Sequence, residues 1–498
     1  MTKLAKRLLM TEPLILVLDV GTTSTRAMLF TAQGEPRGTA QRELTQHYPR
    51  PGWVEHDAAE IWDKTFACAR EMVEVAGGAG RIAAIGIANQ RETVVAWDRD
   101  TGEPLARALV WQDRRTAGLC EDLRAEGHED AVREATGLLL DPYFSATKMR
   151  WLLDHEPAVA GAAEAGRLAV GTVESWLVFR LTGGKAHVTD AGNASRTLLL
   201  PLPGASWDEG LCDLFGVPRD AVPEVVDSAG DFGTTDLFGG PIPICGLAGD
   251  QQAATVGQGC LAVGATKATY GTGAFLLANM GREVPRSRHR LLGTVLHQIG
   301  GERHYALEGS VFVAGSLIQW LRDSLQMLVR AGESEELARS VPDNAGVVVV
   351  PALSGLGAPH WRTEARAAIT GLSFAATRAH VVRAALEAIS HQTQDLAAAF
   401  AADGAEWTEL RIDGGMSAND WLAQDIADLI ALPVVRPDFV ETTALGAAML
   451  AAVGAGLHGS LAEACAAMIG GTRRFEPAME DDERTRRLAA WQRALAAV

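Results

Sequence analysis

Polar side chains collect where short apolar runs of this chain end. Leu14–Leu18 runs into Asp19 and Gly21, then Thr22, Thr23, Ser24, Thr25 and Arg26. A glycine turn brings backbone N–H groups close to a ligand, and hydroxyls and a guanidinium add donors suited to an anion such as a phosphate. Asp19 at the strand end suits a hydrated Mg²⁺ beside those phosphates. The same stretch reads as a hairpin turn with a surface aspartate. Its consecutive hydroxyls exceed what a turn needs, and the following Ala27–Phe30 is apolar again, as in a returning strand.

Arg91 and Glu92 follow the apolar run Ile82–Ala88, and Asp250 and Gln251 follow Ile242–Leu247. Ligands of open α/β folds lie beyond the carboxyl ends of strands. Arg, Glu, Asp and Gln together suit a small neutral polyol, whose hydroxyls donate to carboxylates and accept from Arg or Gln. Such a site rejects an analogue lacking a hydroxyl by a factor on the order of 10⁴. A surface ion pair for Arg91–Glu92, and a helix cap for Asp250, remain open at this level. Tyr143 and Phe144 read as core aromatics. Neither a GxxxxGK[ST] loop nor a GxGxxG turn after a strand is present, so the two commonest nucleotide-binding motifs are excluded.

These strand ends need an α/β framework to hold them. The spacing predicts a helix over Ala58–Val75, capped by Asp57, with Ile61, Phe66, Cys68, Met72 and Val75 on its apolar face. It predicts strands at Val94–Trp97 and Gly346–Val350, and a strand followed by a helix over Ala169–Leu181. Helices are predicted over Ser310–Gln326 and His380–Ala401, and a strand–turn–strand over Thr266–Leu277. A faint echo links Leu14–Thr23 with Ile244–Ala253, each an apolar strand, an Asp and a polar turn, the aspartates 231 positions apart. It suggests a duplicated α/β architecture with a cleft between the halves.

The 498 residues fit two to four domains, with 47% hydrophobic residues for the core. A net charge of −17 argues against nucleic acid or an anionic membrane surface as partner. Six scattered cysteines without a CxxC pair predict a reduced, cytoplasmic protein without structural zinc, and the histidines form no HExxH. No apolar run nears the ~18 residues of a membrane span. Residues 1–12 read as a flexible leader, with Met1 and Met10 both possible starts.

Taken together, DVGTTSTR (19–26), PGWVEHD (51–57), IGIANQRET (85–93), WQDRRT (111–116) and DPYFSATKMRWLLDH (141–155) resemble the FGGY carbohydrate kinase family, and within it the members that phosphorylate glycerol. VTDAGNASRT (188–197), AGDQQAA (248–254), TYGTGAF (269–275), YALEGSVFVAGSLIQWLRD (305–323), GLGAPHW (355–361), DGGMSAND (413–420) and ETTALGAA (441–448) continue the likeness in family order.

The resemblance implies an α/β fold of two actin-like (ribonuclease-H-like) domains with a central cleft. Residues 13–255 would form the polyol and phosphate side, 256–456 the nucleotide side, and 457–498 a helical tail packed on the second domain. It implies ATP-dependent phosphorylation of glycerol to sn-glycerol 3-phosphate, with ATP and Mg²⁺. Arg91, Glu92, Tyr143, Asp250 and Gln251 would meet glycerol, with Trp111 and Phe275 along its carbon face. Asp250 would be the general base and Asp19 the Mg²⁺ ligand. Thr22, Thr23, Ser24 and Arg26 would meet phosphates, and Thr272, Gly315, Gln319, Gly415 and Asn419 would form the nucleotide pocket. A homo-oligomer, dimer or tetramer, is the family expectation.

The chain departs from the family pattern in places. Val20 stands where the glycerol-phosphorylating members usually have Gln, and Asp231–Pro241 lacks the Gly-x-Arg loop that enterobacterial members use for fructose 1,6-bisphosphate. His360 and Arg362 replace the more usual Tyr and Asp. A kinase for erythritol, dihydroxyacetone or glyceraldehyde is the nearest alternative, and a non-catalytic actin-like binding protein the more distant one.

Overall fold

The computed structural model describes residues 12–362 and 364–498. The leader expected over residues 1–12, apart from Glu12, and both candidate start methionines lie outside the described residues.

Two large mixed sheets carry the chain. Leu14–Val20 is buried along its whole length, the pattern of a strand covered on both faces. It pairs antiparallel with Ser24–Thr31 and parallel with Ile82–Asn89, which is parallel in turn to Ile242–Gly249. Pro36–Glu43 and Thr234–Thr235 close the two edges of this six-stranded sheet. The second sheet has seven strands. Its hairpin Thr266–Tyr270/Ala274–Gly281 is antiparallel, and Leu410–Asp413 and Val434–Pro437 continue from it in parallel. Glu302–Val311 and Leu292–Ile299 extend one side, and antiparallel Thr472–Phe475 the other.

The duplication is therefore real, but its register differs from the sequence echo. The strands of Leu14 and Ile244 lie in the same sheet, separated only by Ile82–Asn89. The hairpin opening at Leu14 corresponds instead to the one opening at Thr266. In the first sheet the parallel strands Leu14–Val20, Ile82–Asn89 and Ile242–Gly249 each run into polar residues, so the strand–turn pattern recurs within a half as well as between halves.

Helix Ala58–Ala76 covers one face of the first sheet. Asp57 caps it by accepting from the Ala59 and Glu60 amides, and Gly77 ends it at φ 93°. Ile61, Cys68 and Met72 face the core as predicted, while Val75 is 58% exposed, because the last turn runs to the sheet edge beside Gly38. The opposite face is covered by Thr442–Gly454, rich in alanine and glycine. This helix also crosses Asp250–Gly257 so closely that a Cβ on Gly446 would overlap the Ala253 carbonyl. No helix among the described residues is long and apolar enough to cross a membrane.

Other expectations change in detail. The segment predicted helical from Ser310 remains strand to Val311, and its helix spans Gly315–Asp323. That strand is buried on both faces from Tyr305 onward, so it shows no period-two alternation to read. The tail after 456 divides. Leu461–Met468 packs on the first sheet's face with Ile15, Val17 and Phe30. Thr472–Phe475 is the edge strand of the second sheet, and Asp481–Leu495 docks on the second half through Trp491 and an Arg487–Asp425 pair.

Candidate active site

Past Asn89 the chain leaves the first sheet and enters a smaller five-stranded one at Val94–Asp98. Arg91 and Glu92 lie in that passage, and the backbone at Glu92 is held at φ 60°. Neither is a surface residue: Arg91 is 2% exposed and Glu92 1%. The Arg91 guanidinium donates to both carboxylate oxygens of Glu308, at 2.5 and 2.9 Å. It donates to the Tyr143 hydroxyl at 3.3 Å, and its Nε lies 3.6 Å from the Asp250 carboxylate. Arg196, fully buried, donates to Glu92 at 2.7 Å and to Glu308 at 3.2 Å. Burial works against charge at Glu308, and Arg196 and Arg91 overcome it, drawing its carboxyl down to about 2.

Tyr143, read from its residue type as core, stands at this cluster, while Phe144 is buried behind it. Lys148 fixes the turn that presents it. Its buried amine donates to the carbonyls of Pro142, Tyr143 and Phe144 at 2.9, 2.6 and 2.9 Å, and burial pushes it down to about 8.

Asp250 is the first residue of helix Asp250–Gly257, which follows strand Ile242–Gly249. One oxygen accepts from the Gln251 amide at 2.7 Å, but the N-cap position is Gly249, so Asp250 is not the helix cap. The Asp250 side chain is 31% exposed. Burial raises its pKa, Arg91 and Lys267 oppose the rise, and Asp19 adds to it. The Gln251 side chain accepts from Lys267 of the second sheet at 2.5 Å.

Asp19 ends its strand beside Arg26, at 3.0 Å, and Arg26 also pairs with Glu441. Burial raises the Asp19 carboxyl and Glu441 raises it further, against Arg26. The hydroxyl run divides by strand alternation. Thr25 turns inward to Thr65 at 2.8 Å, Ser24 accepts from Gln41 at 3.2 Å, and Thr23 stays exposed. Thr22 accepts from the Trp111 indole at 2.9 Å. The Trp111 ring meets Tyr143 and Phe275 edge-on, at 5.7 and 6.1 Å between centroids, so the three form an apolar wall beside the charged cluster.

The second sheet supplies bare backbone at the corresponding place. The Gly315 amide donates to the Gly271 carbonyl at 2.9 Å, and the Ser316 hydroxyl to Thr272 at 2.9 Å. A Cβ on Gly315 would lie 2.5 Å from the Gly271 oxygen and 3.2 Å from Met416. Gly415 has open space around it, and Gln319 is exposed a turn further along its helix. Asn419 caps helix Asp420–Ile430 by accepting from the Leu422 amide at 3.0 Å, so its carbonyl is already engaged.

The predicted polyol residues thus converge, Thr22 joins them through Trp111, and Thr272, Gly315 and Gly415 gather across the cleft. Sequence reasoning missed Glu308, Arg196, Lys267 and Lys148. All four lie within stretches that carry the family likeness or in the Thr266–Leu277 strand pair, but Glu308 and Lys267 sit within strands, Lys148 within a helix, and Arg196 in the turn after Ala191–Ala194. No strand-end signal marks such positions.

Family models match both halves: the FGGY family of carbohydrate kinases, N-terminal domain, over residues 14–257, and its C-terminal domain over 266–455. The chain is 54% identical to the glycerol kinase of Aromatoleum aromaticum, over 97% of this chain and 98% of the relative. It is 54% identical to the glycerol kinase of Rhodospirillum centenum, over 97% and 98%. The crystal structure of Plasmodium falciparum glycerol kinase with ADP superposes with a TM-score of 0.92 at 34% identity, covering 98% of each chain.

Proposed function

This chain belongs to the FGGY family of carbohydrate kinases, and from that premise we propose that it transfers the γ-phosphoryl group of ATP to glycerol, giving sn-glycerol 3-phosphate. The observation that carries the reading is the Arg91–Glu92–Tyr143–Asp250 cluster against the Trp111–Phe275 wall. Charged groups on one side and aromatic edges on the other match a molecule with hydroxyls on one face and carbon on the other. Val20, where the family likeness expects Gln, is fully buried in the first sheet's core and lies outside this cluster.

Asp250 is the proposed general base, taking the proton of the attacked hydroxyl. Phosphoryl transfer passes through a loose transition state, so the proton leaves late and a carboxylate suffices. Arg91 and Lys267 favour its ionised form. Thr22, Thr23, Ser24 and Arg26 are the proposed phosphate contacts, and Thr272, Gly315, Gln319, Gly415 and Asn419 the proposed nucleotide pocket. The residues fit the Mg²⁺ that this reading implies. Glu441 helps to raise the carboxyl of Asp19, and Asp19 in turn helps to raise that of Asp250. Among the described residues no group of three or more His, Cys, Asp or Glu is placed to hold a metal ion; a Mg²⁺ at Asp19 would take its other ligands from phosphate and water. When bound, that cation neutralises charge on the phosphates. A cytoplasmic setting and a homo-oligomer belong to the same proposal, the first resting on the cysteine usage and the second on the family likeness.

The test is ADP release with Mg·ATP and a panel of glycerol, dihydroxyacetone, glyceraldehyde, erythritol, xylulose and gluconate. Preference for glycerol is expected. Faster turnover of another member, with glycerol poor, reassigns the substrate.

A further inference from the structure

Arg91 and Arg196 put two guanidinium groups in the floor of the proposed polyol pocket, both buried. Guanidinium is the group that binds carboxylates and phosphates best, through its two-pronged edge. A neutral polyol has no such group to offer. Left unpaired, these cations would draw anions of substrate size into the pocket.

Glu308 stands in the way. It comes from the second half, on strand Glu302–Val311, and is fully buried. One of its oxygens takes Arg91 at 2.9 Å and Arg196 at 3.2 Å, and the other takes Arg91 at 2.5 Å. Glu92 takes the remaining edge of Arg196 at 2.7 Å. Two cations and two carboxylates therefore close on each other. Arg196 Nη1 is still buried without a partner, a donor free to take a ligand oxygen if the balance were disturbed.

We propose that Glu308 is a specificity-determining residue. By occupying the carboxylate-binding edge of Arg91, and one arm of Arg196, it makes the pocket neutral and shuts out anionic molecules shaped like the polyol. This rests on the polyol reading of the site. Glu308 acts through the two arginines rather than by touching substrate.

Glyceramide and glycerate have the same size and hydroxyls and differ in one negative charge, so comparing them separates charge from shape. Their binding is measured by calorimetry without Mg²⁺, alongside glycerol. The unmodified protein is expected to bind glyceramide about 100-fold more tightly than glycerate, since the anion loses its water in a pocket whose guanidinium edges are already taken. In Glu308→Gln the gap narrows about tenfold or more, and in Glu308→Asp, which keeps the charge, it persists. A purely structural role would weaken all three ligands alike and leave the gap unchanged.

Equal binding of glyceramide and glycerate by the unmodified protein overturns the inference, whether or not a variant folds. So does an unchanged gap in folded Glu308→Gln. Glycerol turnover is scored separately. A chain that phosphorylates glycerol yet shows no gap keeps its reaction and loses this inference, and a chain that neither binds nor phosphorylates glycerol loses both.

Discussion

The two sheets share one plan, a hairpin followed by parallel strands with an antiparallel edge, and differ in what stands at the strand ends. In the first half those ends carry charge: Asp19, then Arg91 and Glu92, then Asp250. In the second, glycine backbone predominates beside one buried carboxylate, Asp413, whose Oδ2 accepts from Gln258 and Thr442. The turn Tyr270–Ala274 holds Gly271 and Gly273, strand Leu410–Asp413 runs into Gly414 and Gly415, and Gly315 opens the helix beside them. Charge at a strand end can bind a polyol and take up its proton. Bare glycine backbone lets a flat or phosphate-bearing ligand lie close. On the proposed assignment one fold serves two ligands by changing the residues at equivalent strand ends, with the framework kept.

If the first half's charges do the chemistry, the largest effect belongs to Asp250→Asn. Its shape is kept and its basicity lost. The expected outcome is a fall in kcat of about 10³-fold with little change in KM for glycerol, within the span of a lost general base. Steady-state kinetics on the folded variant measures it, and turnover near that of the unmodified protein would move the base elsewhere.

The second half should fail differently. In Gly315→Ala the added Cβ would lie 2.5 Å from the Gly271 oxygen, which is backbone and cannot swing aside. The loop that meets Thr272 must shift. KM for ATP is expected to rise by about 10²-fold, the scale of an ångström-sized misplacement, with KM for glycerol nearly unchanged. A rise confined to glycerol would break the division of labour between the halves.

Trp111 sits where the halves meet, its ring between Tyr143 and Phe275 and its indole N–H on Thr22. Trp111→Phe keeps an aromatic wall and removes one hydrogen bond. About 1 kcal/mol, or roughly fivefold in KM for glycerol, is expected. No change would show that Thr22 and the wall act independently.

How far the sequence reaches follows the same contrast. Strand-end charges were readable because each ends an apolar run, and the Asp57 cap and the buried Leu14–Val20 strand followed from local rules. Glu308 and Lys267 were not readable: both lie inside buried strands, and only folding brings them to Arg91 and Gln251. Tyr143 looked like core because its residue type is ambiguous until Arg91 arrives beside it. The repeat was visible as an idea but misregistered, since a parallel sheet repeats its strand–turn pattern internally. Thr25 shows the opposite limit, a hydroxyl in the right stretch turned inward by one step of alternation.

The halves also bury acids differently, and this gives the smallest effect, on stability rather than turnover. In the second half Asp425 is buried but held by Arg487 at 2.6 and 3.0 Å. Arg487 overcomes burial and keeps its carboxyl below the usual range. It contributes stability above the unfolded pKa, lost as pH falls. In the first half Glu174 accepts from the hydroxyls of Thr172 and Thr189, at 2.7 and 2.6 Å, and from its own amide, with no cation among these partners. Burial, with Asp190 nearby, raises it to about 7. A carboxyl raised in the folded state holds its proton there while the unfolded chain releases it. Stability therefore falls as pH rises from the unfolded value, about 4.3, to about 7. Glu174→Gln removes that slope. Urea melts should show the variant close to the unmodified protein at pH 5 and more stable by about 2–3 kcal/mol at pH 8, with glycerol turnover unchanged. Coincident melts at both pH values would mean that Glu174 finds a counter-charge or water in solution, and the contrast with Asp425 would dissolve.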